Sequence, residues 1–124
     1  MQNDPHISEA EWQVMKVIWS RSQSSAQDVI EALAGSTSWS SSTVKTLLNR
    51  LVKKKALKFE KEGKIYRYSA GVSEEECQRV EAESFLQRVF DGSLTPMLAH
   101  FVNKRGLSPA EVEELRRLLG DGEK

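Results

Sequence analysis

The segment SSSTVKTLLNRLVKKK, from Ser40 to Lys55, leaves this chain the least freedom of any stretch in it. Val44, Leu47, Leu48, Leu51 and Val52 recur at i, i+3, i+4, i+7 and i+8, the spacing that lays one side of a helix against a core. Once that side is committed, Ser42, Thr43, Lys45, Thr46, Asn49, Arg50 and Lys53 must face outward. An ordinary solvated helix mixes Glu with Lys, for pairing and solubility. This face has hydroxyls, an amide and cations but no carboxylate, so it is built to meet something anionic or rich in hydrogen-bond acceptors.

The charge balance points the same way once position is considered. The 124 residues are formally neutral, with 18 Lys and Arg against 18 Asp and Glu. Met1 to Val72 carries 11 cations against 7 carboxylates, and Ser73 to Lys124 reverses those counts. Between Ser41 and Tyr68 alone, Lys45, Arg50, Lys53, Lys54, Lys55, Lys58, Lys61, Lys64 and Arg67 are set against only Glu60 and Glu62. A polyanion is the natural partner for such a concentration of charge.

Helix starts are plainly written. Ser8 with Glu11 forms a capping box, and Ile7 and Trp12 occupy the places of a hydrophobic staple; Ser73 with Glu76 and Ser108 with Glu111 repeat the pattern, the last with Pro109 at the first helical position. A first helix is expected over Glu9 to Ser20 and a second over Ser25 to Leu33, where Ala26, Val29, Ile30 and Leu33 share a face. The turn GSTSWSS then separates the second helix from the third, a helix-turn-helix spacing in which Trp39 anchors the turn. Beyond it, LKFEK and IYRY read as strands joined by a tight turn at Glu62-Gly63, with Tyr66 and Tyr68 on the core side.

Three helices followed by a hairpin make a winged helix, whose third helix, about residues 42–54, is the one offered to the major groove, with the β-wing at 57–69. The expected fold is therefore mainly α with a small β-hairpin: a winged helix-turn-helix DNA-binding domain over residues 1–72 and a helical region over 73–124. That second region reads as three helices with wide apolar stripes, including Phe85, Leu86, Val89 and Phe90, then Met97, Leu98 and Phe101, then Val112, Leu115, Leu118 and Leu119. So much apolar surface on three short helices points to a homodimer interface, the alternative being a monomer that folds these helices back on the winged helix, and a two-fold dimer would pair two reading heads.

Other chemistries find little support. Cys77 stands alone, and with His6 and His100 it offers no zinc spacing, so neither metal nor cofactor is expected. These three residues lie on separate segments without a glycine-rich phosphate loop, so the chain is not expected to be an enzyme. No apolar run approaches the roughly 20 residues needed to span a bilayer, and the start MQNDPHISEAEW has no apolar signal core, so a cytoplasmic location away from membrane is expected. The competing use of such a fold is as a protein-interaction module with no specific DNA site.

Taken in order, SEAEWQVMKVIW, a short helix, WSSSTVKTLLNRLVKKKALKFEKEGKIYRY and the terminal SPAEVEELRRLL resemble the BlaI/MecI/CopY penicillinase-repressor family across essentially the whole chain. The resemblance implies a bacterial homodimeric repressor on a palindromic double-stranded DNA operator. It places Ser42, Thr43, Lys45 and Thr46 at base edges, with Asn49 and Arg50 nearer the backbone. The side chains suit those roles: Lys donates to guanine, Thr offers a hydroxyl or sets its methyl against thymine, and Arg50, Lys53 and the wing cations Lys61, Lys64 and Arg67 suit phosphates.

The sequence departs from the family at three places. Members often have Gly where Lys55 stands, so the third helix is expected to end differently here. The terminal GDGEK lacks the cysteine cluster of the copper-responsive branch, so copper sensing by that route is not expected. The bond cut by a regulatory protease in the β-lactam branch is Asn-Phe, and its counterpart here is His100-Phe101.

Overall fold

Helix α1, Glu9–Trp19, starts where its capping box is written: the Ser8 hydroxyl accepts from the Glu11 amide at 3.2 Å and the Glu11 carboxylate accepts from the Ser8 amide at 2.9 Å. Val14, Met15 and Ile18 bury its inner face. The computed structural model describes residues 6–121; residues 1–5 and 122–124, which include parts of the N-terminal and GDGEK segments read above, lie outside them.

A two-residue strand follows, β1, Ser24–Ser25, and Ser25 then caps helix α2, Ala26–Leu33, through a second reciprocal box with Asp28. Sequence reading missed both, since two serines carry no strand pattern and Asp replaces the usual Glu of the box. Helix α3, Ser41–Lys53, buries Val44, Leu47, Leu48 and Leu51, as its periodicity requires. The wing consists of β2, Leu57–Glu62, and β3, Ile65–Ala70, in the antiparallel order β1-β3-β2. Its two-residue loop is Gly63-Lys64 rather than Glu62-Gly63; Gly63 takes φ 63°, the left-handed setting that hairpin turns of matching twist demand. Trp39 packs against the core, as expected of an anchor for the preceding turn.

Helices α4, Glu74–Phe90, α5, Leu94–Lys104, and α6, Pro109–Asp121, complete the chain. The chain divides into two compact units, Met1–Glu81 and Ala82–Lys124, and the division falls within α4. In the first unit Cys77, on the opening turns of α4, joins the core, and the Trp19 indole donates to the Val72 carbonyl at 3.0 Å.

The end of α3 departs from expectation. Lys55 itself adopts the left-handed conformation, φ 70°, at the position that favours Gly. Its amide donates to the Val52 carbonyl at 2.9 Å and the Ala56 amide to the Leu51 carbonyl at 3.0 Å, the two bonds of a Schellman cap, with Ala56 fully buried behind them. The end of the wing clamps this turn: the Gly71 amide donates to the Ala56 carbonyl at 2.8 Å, and a Cβ on Gly71 would come 2.8 Å from the Lys55 carbonyl oxygen. Lys55 is thus held in the conformation that glycine would adopt freely, against a steric preference of about 1 kcal/mol.

Lys54, the residue before it, is not a simple solvated helix end. Its ammonium meets the Glu11 carboxylate at 2.5 Å and the His6 carbonyl at 2.7 Å, so the C-cap of α3 is tied to the N-cap of α1. The Glu11 side chain is only 1% exposed. Burial by itself pushes its carboxyl up, but the hydrogen bond from Lys54, the Ser8 amide and the ammonium's charge outweigh it and hold the group below its ordinary value of 4.5. Because the folded value is depressed, ionised Glu11 stabilises the fold above about pH 4.5, and that contribution is lost as pH falls through the folded value.

Two stability measurements follow. Lys55→Gly should raise the unfolding free energy by about 0.5 to 1 kcal/mol, read from the urea midpoint, and a loss would mean that the side chain makes compensating contacts. Glu11→Gln should cost about 2 kcal/mol at pH 7, with the difference from wild type shrinking as pH falls below about 4.5; a pH-independent difference would assign the effect to packing alone.

Candidate nucleic-acid interface

The Ser40 hydroxyl accepts from the Thr43 amide at 3.1 Å, and no acidic residue lies in the first turn of α3. Helices α1 and α2 each place a carboxylate there, Glu11 and Asp28. The positive end of the α3 dipole is consequently left uncompensated, which favours an approaching anion. Ser42, Thr43, Lys45, Thr46, Asn49, Arg50 and Lys53 are all exposed, on the side opposite the buried stripe.

Local bonding refines what these groups offer. The Thr46 hydroxyl donates to the Ser42 carbonyl at 3.0 Å, which uses its proton and leaves lone pairs and a methyl free for a partner. Thr43 and Ser40 share a hydrogen bond of 3.1 Å between their hydroxyls. Lys45 and Asn49, one turn apart, line part of a crevice of about 490 Å³; Ser25, Ala26 and Gln27 at the start of α2 and Lys64, Ile65, Tyr66 and Tyr68 on the wing line the rest.

The wing brings cations and an unexpected aromatic surface. Lys61 and Lys64 are exposed, with the Lys61 ammonium 5.9 Å from the Tyr66 ring centroid. Arg67 is half-buried and its guanidinium pairs with Glu62 at 2.9 Å within the wing, so it offers less free charge than its position suggested. Tyr68 is buried as expected, and burial pushes its phenol above the ordinary range. Tyr66 is not a core residue. It is 42% exposed and stacks on Phe59, ring centroids 5.0 Å apart at 18°, because the hairpin extends beyond the helices that cover its base.

In the second unit the expected apolar residues remain largely uncovered. Leu118 and Leu119 are 60% and 67% exposed, Phe85, Val89, Phe101 and Val112 are exposed as well, and Leu86, Phe90, Met97, Leu98 and Leu115 are half-buried. No residue of α5 is buried. Between α5 and α6 lies a cleft of about 440 Å³ lined by Leu98, Phe101, Leu107 and Leu115, with the Arg105–Glu111 pair at its edge, 3.3 Å apart. His100 and Phe101 are both exposed near the middle of α5, and the His100 ring lies 5.5 Å from that of Phe90.

Among the described residues no group of three or more His, Cys, Asp or Glu could hold a metal ion, and no helix is long and apolar enough to cross a membrane. The site is a basic, hydroxyl-bearing helix beside a basic wing, and residues 7–121 match the family model described as penicillinase repressor. The chain belongs to the penicillinase repressor family. It is 40% identical to the penicillinase repressor of Bacillus licheniformis over 96% of this chain and 93% of that protein. It is 37% identical to the methicillin resistance regulatory protein MecI of Mammaliicoccus sciuri, over 91% of this chain and 92% of the relative. Among solved structures it is similar to the monomeric form of Bacillus licheniformis BlaI in complex with the blaP half-operator. That likeness has 42% identity and a TM-score of 0.54, and covers 61% of this chain and 93% of the other.

Proposed function

We propose that this protein is a DNA-binding transcriptional repressor that acts as a homodimer on a palindromic operator, with α3 in the major groove and the wing along the backbone. The observation that carries this reading is the carboxylate-free outward face of α3, flanked by Lys61 and Lys64, in a chain whose BlaI relative was solved on a half-operator. Base edges are read by Ser42, Thr43, Lys45 and Thr46; Asn49, Arg50, Lys53 and the wing cations hold phosphates. Residues 1–72 supply the reading head and 73–124 the means of pairing two of them.

The exposed leucines, valines and phenylalanines of α4, α5 and α6 support pairing through the tail, since so many large apolar side chains left open to water on three short helices favour association. A protease acting at the His100–Phe101 bond would sever α5 near its middle and detach α6, releasing the pairing of half-sites. Both flanking residues are exposed, but the helix must open locally before the bond can be cut.

Thr46→Ala should weaken binding to the operator by about 1 to 3 kcal/mol and binding to random duplex hardly at all, measured by fluorescence titration at fixed salt. Equal losses on both would remove Thr46 from readout, and no salt-dependent binding by the wild type to any duplex would favour a protein-interaction module instead. Replacing Leu118 and Leu119 together by Asp should give monomers in sedimentation velocity, because unpaired charge is costly in an apolar interface. A persistent dimer would place the interface on other residues.

A further inference from the structure

We propose that Tyr66 is a DNA-backbone contact, its phenol hydroxyl donating to a phosphodiester oxygen seated in the crevice between α3 and the wing, beside the Lys64 ammonium. This rests on the reading of the protein as a DNA-binding repressor and adds to it a neutral contact residue on the wing.

The register of the wing sets up the geometry. Leu57 pairs with Ala70, Phe59 with Tyr68 and Lys61 with Tyr66, so these six residues share one face of the hairpin, on which Leu57 and Tyr68 are core. One pair farther out the core has ended. Tyr66 therefore continues an apolar column into the open, and its ring is held by the stack on Phe59 on a strand already fixed by its ladder. Among the described residues nothing hydrogen-bonds to its hydroxyl. A ring held in this way presents the hydroxyl with little further loss of side-chain freedom.

The crevice into which Tyr66 faces is suited to an anion. Lys45 of α3 and Lys64 of the wing both line it, Gln27, Asn49 and Ser25 add neutral polar groups, and no carboxylate is among its lining residues. The α3 wall carries Lys45, assigned to base edges, with Asn49, assigned to the backbone, one turn farther on. A strand whose bases face that wall must carry its sugar-phosphate chain past the other, where Lys64 and Tyr66 stand. The phenol adds a hydrogen bond to a charged acceptor and displaces no counterion, which separates its signature from that of the neighbouring lysine.

The test compares Tyr66→Phe and Lys64→Ala with the wild type, titrated against operator and random duplex over a range of salt. Tyr66→Phe keeps the stack on Phe59 and should melt as the wild type does, yet bind both duplexes about three- to tenfold more weakly with an unchanged salt slope. Lys64→Ala should reduce that slope by about 1. Tyr66→Phe affinities equal to the wild type's, or a loss confined to the operator, would overturn the phosphate contact while leaving the repressor reading intact. Failure of the wild type to bind any duplex would overturn both.

Discussion

The working surface of this protein depends on the burial of one stripe. Val44, Leu47, Leu48 and Leu51 are at most 5% exposed, and each would lose about 1.5 to 3 kcal/mol of transfer free energy if it left the core. A helix held by four such anchors cannot rotate about its axis. The outward positions are therefore fixed by what lies beneath them, and the residues from Ser42 to Lys53 can vary in chemistry without losing their aim.

Rotation is one freedom and sliding along the axis is another, and different groups restrain the second. At its C-terminus α3 is closed by the left-handed turn at Lys55, which is clamped from the wing by Gly71. The Lys54 ammonium reaches the buried Glu11 carboxylate, which at the same time completes the cap of α1. One carboxylate thus serves two helix ends. A buried charge is costly unless well partnered, and the contacts from Ser8 and Lys54 supply the partners. The polar network and the apolar stripe hold the same helix by different physics, and only the polar one is sensitive to pH.

Much of this was legible in the sequence. The three-helix order, the hairpin and the helical tail follow from periodicities that admit few alternatives, while the family enters as a resemblance carried by the residues of those segments. What escaped notice has identifiable causes. The β1 strand is two serines long, and its strand character comes wholly from pairing with Tyr68 and Arg67, which no local window contains. Tyr66 was placed in the core because alternation gives the face of a strand but not the point along it where the core stops. Lys55 was expected to end the helix differently because the steric preference for glycine is real; the structure accepts that cost, with Ala56 buried against the core and Gly71 locking the turn. Nothing local distinguishes Lys54 from its neighbours Lys53 and Lys55, since its partner Glu11 lies 43 residues away.

The tail has a thermodynamic consequence for a regulator of this kind. With no buried residue in α5 and the leucines at the end of α6 open to water, this segment has little core of its own to offset the entropy of ordering it. If a second copy supplies the missing cover, folding of the tail and assembly become one equilibrium, and the stability measured would rise with protein concentration. The amount of repressor in a cell would then set both how many operators are occupied and how well folded each molecule is. A fall in synthesis would leave chains that lose their ordered tails as they separate, which makes them open to general proteolysis and steepens the response beyond what dilution of a stable dimer would give.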